Sequence, residues 1–202
     1  MRSFIRQSIL SSILPKQEIL EDEKFIADIE EICRRIVEAF RSGNKVLVFG
    51  NGGSAADAQH IAGEFVSKFR LVRSSLPAIA LTTDTSIITS IGNDFGYEHI
   101  FEKQIEGLAQ KGDVVIGIST SGGSRNISKA FIMARMKGAY VVGLLGKDGG
   151  ENRKYADKAL IVPSEDTPRI QESHILISHI ICDIVEKTMF GENEDYEQSS
   201  VS

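Results

Sequence analysis

Lys45-Val-Leu-Val-Phe49, followed by Gly50-Asn-Gly-Gly-Ser54, is the stretch of sequence that decides the fold. The first half predicts a short strand, and the glycine-rich second half leads into a helix over 54–69. The strand is apolar at consecutive positions and does not alternate with polar residues. Such a strand is buried on both faces, which is typical of a parallel sheet covered by helices.

The same strand–helix alternation continues along the chain. Four further strands are predicted at 77–81, 113–118, 139–145 and 158–162, and further helices at 85–109 (in one or two pieces), 124–137 and 168–190. The pattern predicts an α/β fold, a three-layer αβα sandwich on a five-stranded parallel sheet. The expected strand order is the flavodoxin-like 2-1-3-4-5.

Two amphipathic helices are predicted before the first strand. One covers 3–14 and ends at Pro15, since proline disrupts a helix interior, and the other covers 18–41. Their apolar faces must cover either the sheet or another subunit. The chain is therefore divided into three parts: N-terminal helices with oligomer contacts (1–41), the α/β domain (42–190) and a polar tail predicted to be disordered (191–202).

Composition excludes several classes of protein. A net charge of -5 argues against a general nucleic-acid binder, which needs a basic face. No run of about 20 apolar residues predicts a membrane span. The two cysteines, Cys33 and Cys182, lack C-x-x-C spacing and are interpreted as small apolar side chains of a reducing compartment. We therefore expect a cytoplasmic protein without membrane or nucleic-acid partners.

Two loops at strand ends are candidates for ligand binding. The segment 50–54 follows the first strand, and 119–124, with four hydroxyl residues in six, follows the third. Backbone N–H groups at helix N-termini attract anions, and hydroxyls add donors. Neither loop is a P-loop or a G-x-G-x-x-G motif. A simple turn remains the alternative for the first loop, whereas the second favours a monophosphate.

Polar residues on two predicted helices form a second candidate site. His60 and Glu64 are spaced i, i+4 and share a helix face, which indicates either a surface pair or a catalytic or metal site. Gln171 and His179 lie in the apolar closing helix, about 80° apart around its axis. His174 is interpreted as a packed or interface histidine. The segment 93–96 predicts a helix-ending turn whose side chains could instead contact sugar hydroxyls.

These motifs together resemble the sugar isomerase (SIS) domain family over about residues 3–190. The matching stretches are Gly50–Ser54 with Asp57-Ala-Gln-His60-x3-Glu64, Ser90–Asp94, Ser119–Ser124, and Arg169-Ile-Gln-Glu-x-His174-x4-His179. The second loop alone marks the superfamily, and the combination with His60, Glu64, Gln171 and His179 is more specific. It points to the branch that acts on heptose phosphates.

The resemblance implies an aldose–ketose isomerase that converts sedoheptulose 7-phosphate to D-glycero-D-manno-heptose 7-phosphate for bacterial heptose synthesis. Glu64 would be the general base and His179 the acid, as an enediol reaction requires. We expect this pair to face a pocket floored by the second loop. The resemblance assigns substrate contacts to Asn51, Gly52, Gly53, Ser54, Glu64, Asn93, Asp94, Ser119, Thr120, Ser121, Ser124 and Gln171.

The resemblance also implies one zinc ion per subunit, held by His60, Glu64, Gln171 and His179, and a homotetramer with active sites between subunits. The proton-transfer roles rank above the metal roles, because a zinc-bound Glu64 is a weaker base and glutamine is an uncommon zinc ligand. Two alternatives stay open. One is a non-catalytic SIS regulatory protein that binds a replication initiator, and the other is an enzyme for another sugar phosphate.

Overall fold

Residues 1–191 are described by the structure, a computed structural model. The helices are α1 Arg2–Glu21, α2 Glu23–Arg41, α3 Gly53–Val66, α4 Thr85–Asp94, α5 Glu102–Leu108, α6 Arg125–Met136 and α7 Thr167–Phe190. The strands are β1 Val46–Gly50, β2 Ala78–Ala80, β3 Val114–Ser119, β4 Tyr140–Gly146 and β5 Lys158–Val162. All strand pairs are parallel in the order β2-β1-β3-β4-β5, which confirms the predicted fold and strand order.

The sheet separates two apolar layers, and β1 shows how the sequence directs its side chains to each. Val46 and Val48 face a core formed with α2, α3 and α7. Leu47 and Phe49 face a second core formed with α5 and α6. Successive side chains of a strand point to opposite faces, so a strand buried on both sides must be apolar throughout.

The strand register brings the two candidate loops together. Gly50 at the end of β1 pairs with Ile118 near the end of β3. Because the strands are parallel, the segments 50–54 and 119–124 leave the same edge of the sheet from neighbouring strands. The sheet therefore forms a shared platform for both loops, at the edge where ligands of open α/β sheets bind.

The predicted end of the first helix at Pro15 is wrong, because α1 continues through this residue to Glu21. Pro15 is buried, and the Lys16 side chain donates to the carbonyl oxygen of Ser12 in the same turn at 2.7 Å. The break falls instead at Asp22, which has extended backbone angles and accepts a hydrogen bond from the Phe25 N–H as the N-cap of α2.

The other element predictions agree with the structure to within a few residues. The helical region 85–109 consists of α4 and α5, and α4 ends in the predicted turn, where Gly96 has a φ of 97°. No helix within residues 1–191 combines the length and hydropathy needed to cross a bilayer. The predicted disordered tail lies outside the described residues, apart from Gly191.

His174 is a packed histidine, as predicted. Its side chain is fully buried against the sheet, and Nε2 donates to the carbonyl oxygen of Leu145 at 2.9 Å. Burial lowers the pKa of His174 from 6.5 to about 4, although the hydrogen bond to Leu145 acts in the opposite direction. The imidazole is therefore neutral in the folded chain near pH 7, and protonation favours the unfolded state.

This burial predicts a pH dependence of stability. As pH falls from 6.5 towards 4, the unfolded chain binds a proton that the folded chain excludes, so His174 destabilises the fold over this window. We expect this histidine to lower the free energy of unfolding by about 2 kcal/mol between pH 7 and pH 5. Chemical denaturation of His174→Gln should show a correspondingly smaller loss, with His99→Gln as control. An unchanged pH dependence in His174→Gln contradicts the assignment.

Candidate active site

The loop between β3 and α6 gathers hydroxyl groups around the start of the helix. Ser119 Oγ lies 3.2 Å from Ser124 Oγ, and the Gly123 N–H donates to Ser121 Oγ at 3.2 Å. Ser124 is the N-cap residue of α6, and its side chain makes no capping hydrogen bond. The loop thus combines hydroxyl donors with a helix N-terminus, as binding of a phosphate group requires.

Asn152, in the segment between β4 and β5, supports the loop between β3 and α6 by hydrogen bonds. Asn152 is fully buried and donates through Nδ2 to the Ser124 carbonyl oxygen at 3.0 Å and to Ser128 Oγ at 2.7 Å. Its own N–H donates to the Gly122 carbonyl oxygen at 2.8 Å. Gly122, with a φ of 65°, lies so close to the backbone of Gly149 and Gly150 that a Cβ on Gly122 or Gly150 would clash with the opposite segment. Asn152 was not predicted from the sequence, where the nearby Gly149–Gly150 pair was the available signal.

The loop after β1 is organised around Asn51. The side-chain amides of Asn51 and Asn126 bond reciprocally, at 3.0 and 2.8 Å, and Tyr97 donates its hydroxyl to Asn51 Oδ1 at 2.9 Å. Asn126 lies in the first turn of α6, so the reciprocal pair connects the two candidate loops. Neither Asn126 nor Tyr97 was predicted as a site residue, although Asn126 follows the second loop by only two residues.

The remaining predicted substrate contacts lie in different surroundings. Asn93 and Asp94 form the exposed end of α4, where Asn93 Nδ2 donates to Asp94 Oδ1 at 2.8 Å. Gln171 packs its amide against Gly53 at the start of α3, so closely that a side chain at Gly53 would displace it. Gln171 therefore accompanies the loop after β1, whereas Asn93 and Asp94 bond to each other.

His60, Glu64 and His179 form a polar cluster between α3 and α7. His60 Nε2 lies 2.9 Å from Glu64 Oε1 and 3.3 Å from His179 Nε2, and one ligand atom from each of the three residues falls within 4.8 Å of the others. The side chains of His60 and Glu64 are 47% and 22% exposed, so the cluster is open to solvent. The structure thus brings Glu64 and His179 together, although 115 positions separate them in the sequence.

Gln171 lies away from this cluster within one chain. It precedes His179 by eight residues on α7, a rise of about 12 Å along the helix. Gln171 contacts Gly53 at one end of α3, and His179 contacts His60 two turns further along it. The chain therefore gathers three of the four predicted metal ligands and leaves Gln171 beside the loop.

The cluster also lies far from the loops of the same chain. Glu64 follows Gly53 by eleven residues on α3, which is about 16 Å along the helix axis. The neighbouring Phe65 carbonyl oxygen accepts from the Leu76 N–H, just before β2 begins at the opposite edge of the sheet. The loops 50–54 and 119–124 therefore lie near one end of α3, and the His60–Glu64–His179 cluster lies near the other end. The expected pocket, with residues 119–124 as its floor, does not form within one chain.

Comparison with known proteins identifies the class to which this fold and site belong. Residues 16–146 match the SIS domain model, and the chain belongs to that family. It is 60% identical over 195 residues to a phosphoheptose isomerase from Clostridium acetobutylicum, covering 96% of this chain and 100% of the relative. This similarity places it among the phosphoheptose isomerases and confirms the prediction of an aldose–ketose isomerase.

Solved structures of phosphoheptose isomerases share the fold at nearly full length. The enzyme from Neisseria gonorrhoeae is 39% identical, with a TM-score of 0.86 over 92% of this chain and 98% of its own. The enzyme from Francisella tularensis is 36% identical, with a TM-score of 0.86 over 93% and 98%.

Proposed function

We propose that this chain interconverts sedoheptulose 7-phosphate and D-glycero-D-manno-heptose 7-phosphate, for bacterial heptose synthesis leading to lipopolysaccharide or capsule. The observation that carries the proposal is the cluster in which the Glu64 carboxylate and the His179 imidazole meet. A carboxylate and an imidazole side by side are the base and acid that an enediol reaction needs. The similarity to phosphoheptose isomerases supplies the substrate.

In the proposed reaction, Glu64 removes the proton from C1 of the ketose while His179 donates a proton to the C2 oxygen. The enediol forms, with the electrons of the broken C–H bond now in the C1–C2 double bond. His179 then takes the proton of the C1 hydroxyl, and Glu64 returns its proton to C2. The products are the aldose and an unchanged pair of side chains, so atoms and charges balance.

The hydroxyl loop would hold the phosphate. Ser119, Ser121 and Ser124 supply side-chain donors at the N-terminus of α6, where the helix dipole favours negative charge. These neutral donors suit a terminal phosphate that takes no part in the reaction. The Asn51–Asn126 pair fixes the neighbouring loop, whose backbone and Asn51 side chain would contact the sugar hydroxyls.

Replacing the proposed base is the direct test of the reaction. We expect Glu64→Gln to lower kcat at least 100-fold with sedoheptulose 7-phosphate, because general base catalysis contributes factors of about 10²–10⁴. Glu102→Gln is a matched control, since Glu102 pairs with His99 and its side chain is also 22% exposed. Product analysis by NMR measures the rates.

Three outcomes would change the proposal. Wild-type activity in Glu64→Gln removes this residue as the base. Binding of sugar phosphates by the wild type without isomerisation favours the non-catalytic regulatory alternative. Faster turnover of a hexose or pentose phosphate than of the heptose phosphate transfers the proposal to that substrate.

We also propose a zinc ion at the cluster, with His60, Glu64 and His179 as ligands. This proposal ranks below the proton-transfer roles, because a zinc-bound Glu64 is a weaker base. The donor set fits: two nitrogens about 2.0–2.1 Å from one tetrahedral zinc ion are about 3.3 Å apart, and His60 Nε2 and His179 Nε2 are 3.3 Å apart. A bound zinc ion would supply Lewis acidity towards the substrate carbonyl. Gln171, as the fourth predicted ligand, would have to come from another subunit or move.

Metal removal tests this part separately. We expect the purified protein to contain one zinc per subunit by elemental analysis, and dialysis against a chelator to lower both kcat and Tm, with recovery on zinc addition. His60→Gln should lose the metal while keeping Glu64 and His179. Full activity and an unchanged Tm after complete metal removal would leave the proton-transfer proposal standing without zinc.

A homotetramer with active sites between subunits is the assembly we propose. Apolar residues remain exposed on α1, among them Phe4 (76%), Ile9 (57%) and Leu10 (54%), and α4 has no buried residue. Unpartnered apolar surface of this kind favours association. Packing between subunits would also bring the hydroxyl loops of one chain to the cluster of another, which one chain keeps at opposite ends of α3.

Light scattering measures the assembly directly. We expect a mass four times that of the 22.2 kDa chain at micromolar concentration. Because the exposed residues of α1 would lie at the interface, replacing Phe4 and Ile9 together with Ser should lower both the mass and the activity. A monomeric mass for the active wild-type protein would contradict the proposal.

We place the enzyme in the cytoplasm. Cys33 and Cys182 are both buried free thiols. Burial raises the pKa of the Cys33 thiol to about 12, so it stays protonated and unreactive. Thiols that pack as small apolar side chains are characteristic of proteins of a reducing compartment.

A further inference from the structure

We propose that the buried ion pair Arg73–Glu186 is a positioning device that fixes the Glu64 and His179 side chains relative to each other. The inference rests on the proposed function, because it assumes that these two residues carry the reaction. Neither Arg73 nor Glu186 contacts the side chains of the cluster. Arg73 bonds to the backbone of Glu64, and Glu186 acts through Phe69, which contacts His179.

Glu186 gathers four donors from the segment that follows α3. Its Oε1 accepts from the Phe69 N–H and from Arg73 Nε, both at 2.9 Å. Its Oε2 accepts from the N–H groups of Arg70 at 2.6 Å and Leu71 at 2.9 Å. The carboxylate is 1% exposed and the Arg73 side chain 2%. One side chain of α7 therefore determines the path of residues 69–73.

Arg73 connects Glu186 to the backbone of Glu64. Its guanidinium donates to the Glu64 carbonyl oxygen at 2.9 Å and to the Phe65 carbonyl oxygen at 2.6 Å. These carbonyls belong to the last turn of α3, where carbonyl groups have no partner within the helix. Arg73 thus caps the end of α3 at the residue that carries the proposed base.

Phe69 connects Glu186 to the side chain of His179. The Phe69 N–H is bonded to Glu186, and the Phe69 ring lies 5.5 Å from the His179 imidazole, tilted by 39°. Glu186 follows His179 by seven residues, two turns of α7, so both lie on the same side of the helix. The ring therefore packs against the imidazole of the proposed acid.

The arrangement of donors around Glu186 depends on the negative charge of its carboxylate. Burial alone would raise the pKa of this carboxyl group, but the three backbone N–H groups and Arg73 together hold it below its usual value. The group is therefore ionised at neutral pH and accepts at both oxygens. A glutamine would place an NH₂ group against N–H donors, which would displace the 69–73 segment.

The test compares two buried carboxylates with the same kind of contacts. Asp113 is fully buried and accepts from the Lys45 and Gln110 N–H groups and from Lys45 Nζ at 2.8 Å, just before β3 begins, and none of these partners belongs to the cluster. We expect Glu186→Gln to lower kcat of the full-length enzyme about 10- to 100-fold with KM within about threefold. Asp113→Asn should also lower Tm but leave kcat within about twofold of the wild type.

A second readout does not depend on turnover. In protein with ¹³C-labelled histidine, the four His residues give few enough signals for assignment by substitution. The His179 Cε1–H signal should lose the ring-current shift from Phe69 in Glu186→Gln and keep it in Asp113→Asn. An inactive wild type would refute the proposed function, whereas this signal still tests the positioning.

Two outcomes would overturn the inference. One is a wild-type kcat in Glu186→Gln, and the other is an unchanged His179 signal in that variant. If Glu186→Gln does not fold, Arg73→Lys replaces it, because lysine keeps the charge opposite Glu186 but cannot donate to both carbonyls at the end of α3. It should show the same loss of kcat at nearly constant KM, and a wild-type kcat in Arg73→Lys would equally refute the role.

Discussion

Helices α3 and α7 lie side by side and run in the same direction, and the rest of the site depends on this packing. At one end, Gln171 packs against Gly53, where the absence of a side chain allows the close approach. Two turns further along, His179 meets His60 and, through it, Glu64. The parallel arrangement follows from the sheet, because α3 and α7 cover the same face. Residues distant in sequence are thereby set in fixed register.

The sheet and its order followed from the sequence because each strand is apolar on both faces and each is separated from the next by a helical segment. The first helix shows the limit of such reasoning. Pro15 predicted an end, but tertiary contacts of α1, including Arg169 donating to the Ser8 carbonyl oxygen, hold the helix continuous past it. Capping by Asp22 then determined the break. At Pro15, tertiary packing therefore outweighed the low helix propensity of proline.

The two halves of the candidate site differed in how far the sequence could predict them. The hydroxyl loop is contiguous, so its residues and its position at a strand end were evident from the sequence. Its support by Asn152 was not, since this residue reaches it from another segment. The distance between the loop after β1 and Glu64 could have been obtained by counting residues along α3. The ion pair Arg73–Glu186 could not, because nothing local distinguishes these residues from surface charges.

The contact of Gly122 with Gly149 and Gly150 has a thermodynamic consequence for ligand affinity. Three glycines bring two backbone segments together, and Asn152 locks them with its side chain and its own N–H. Glycine loses more conformational entropy on folding than other residues. This entropy is lost when the chain folds, before a ligand binds. Anion capture then requires little further ordering of the chain, so more of the interaction energy is expressed as affinity.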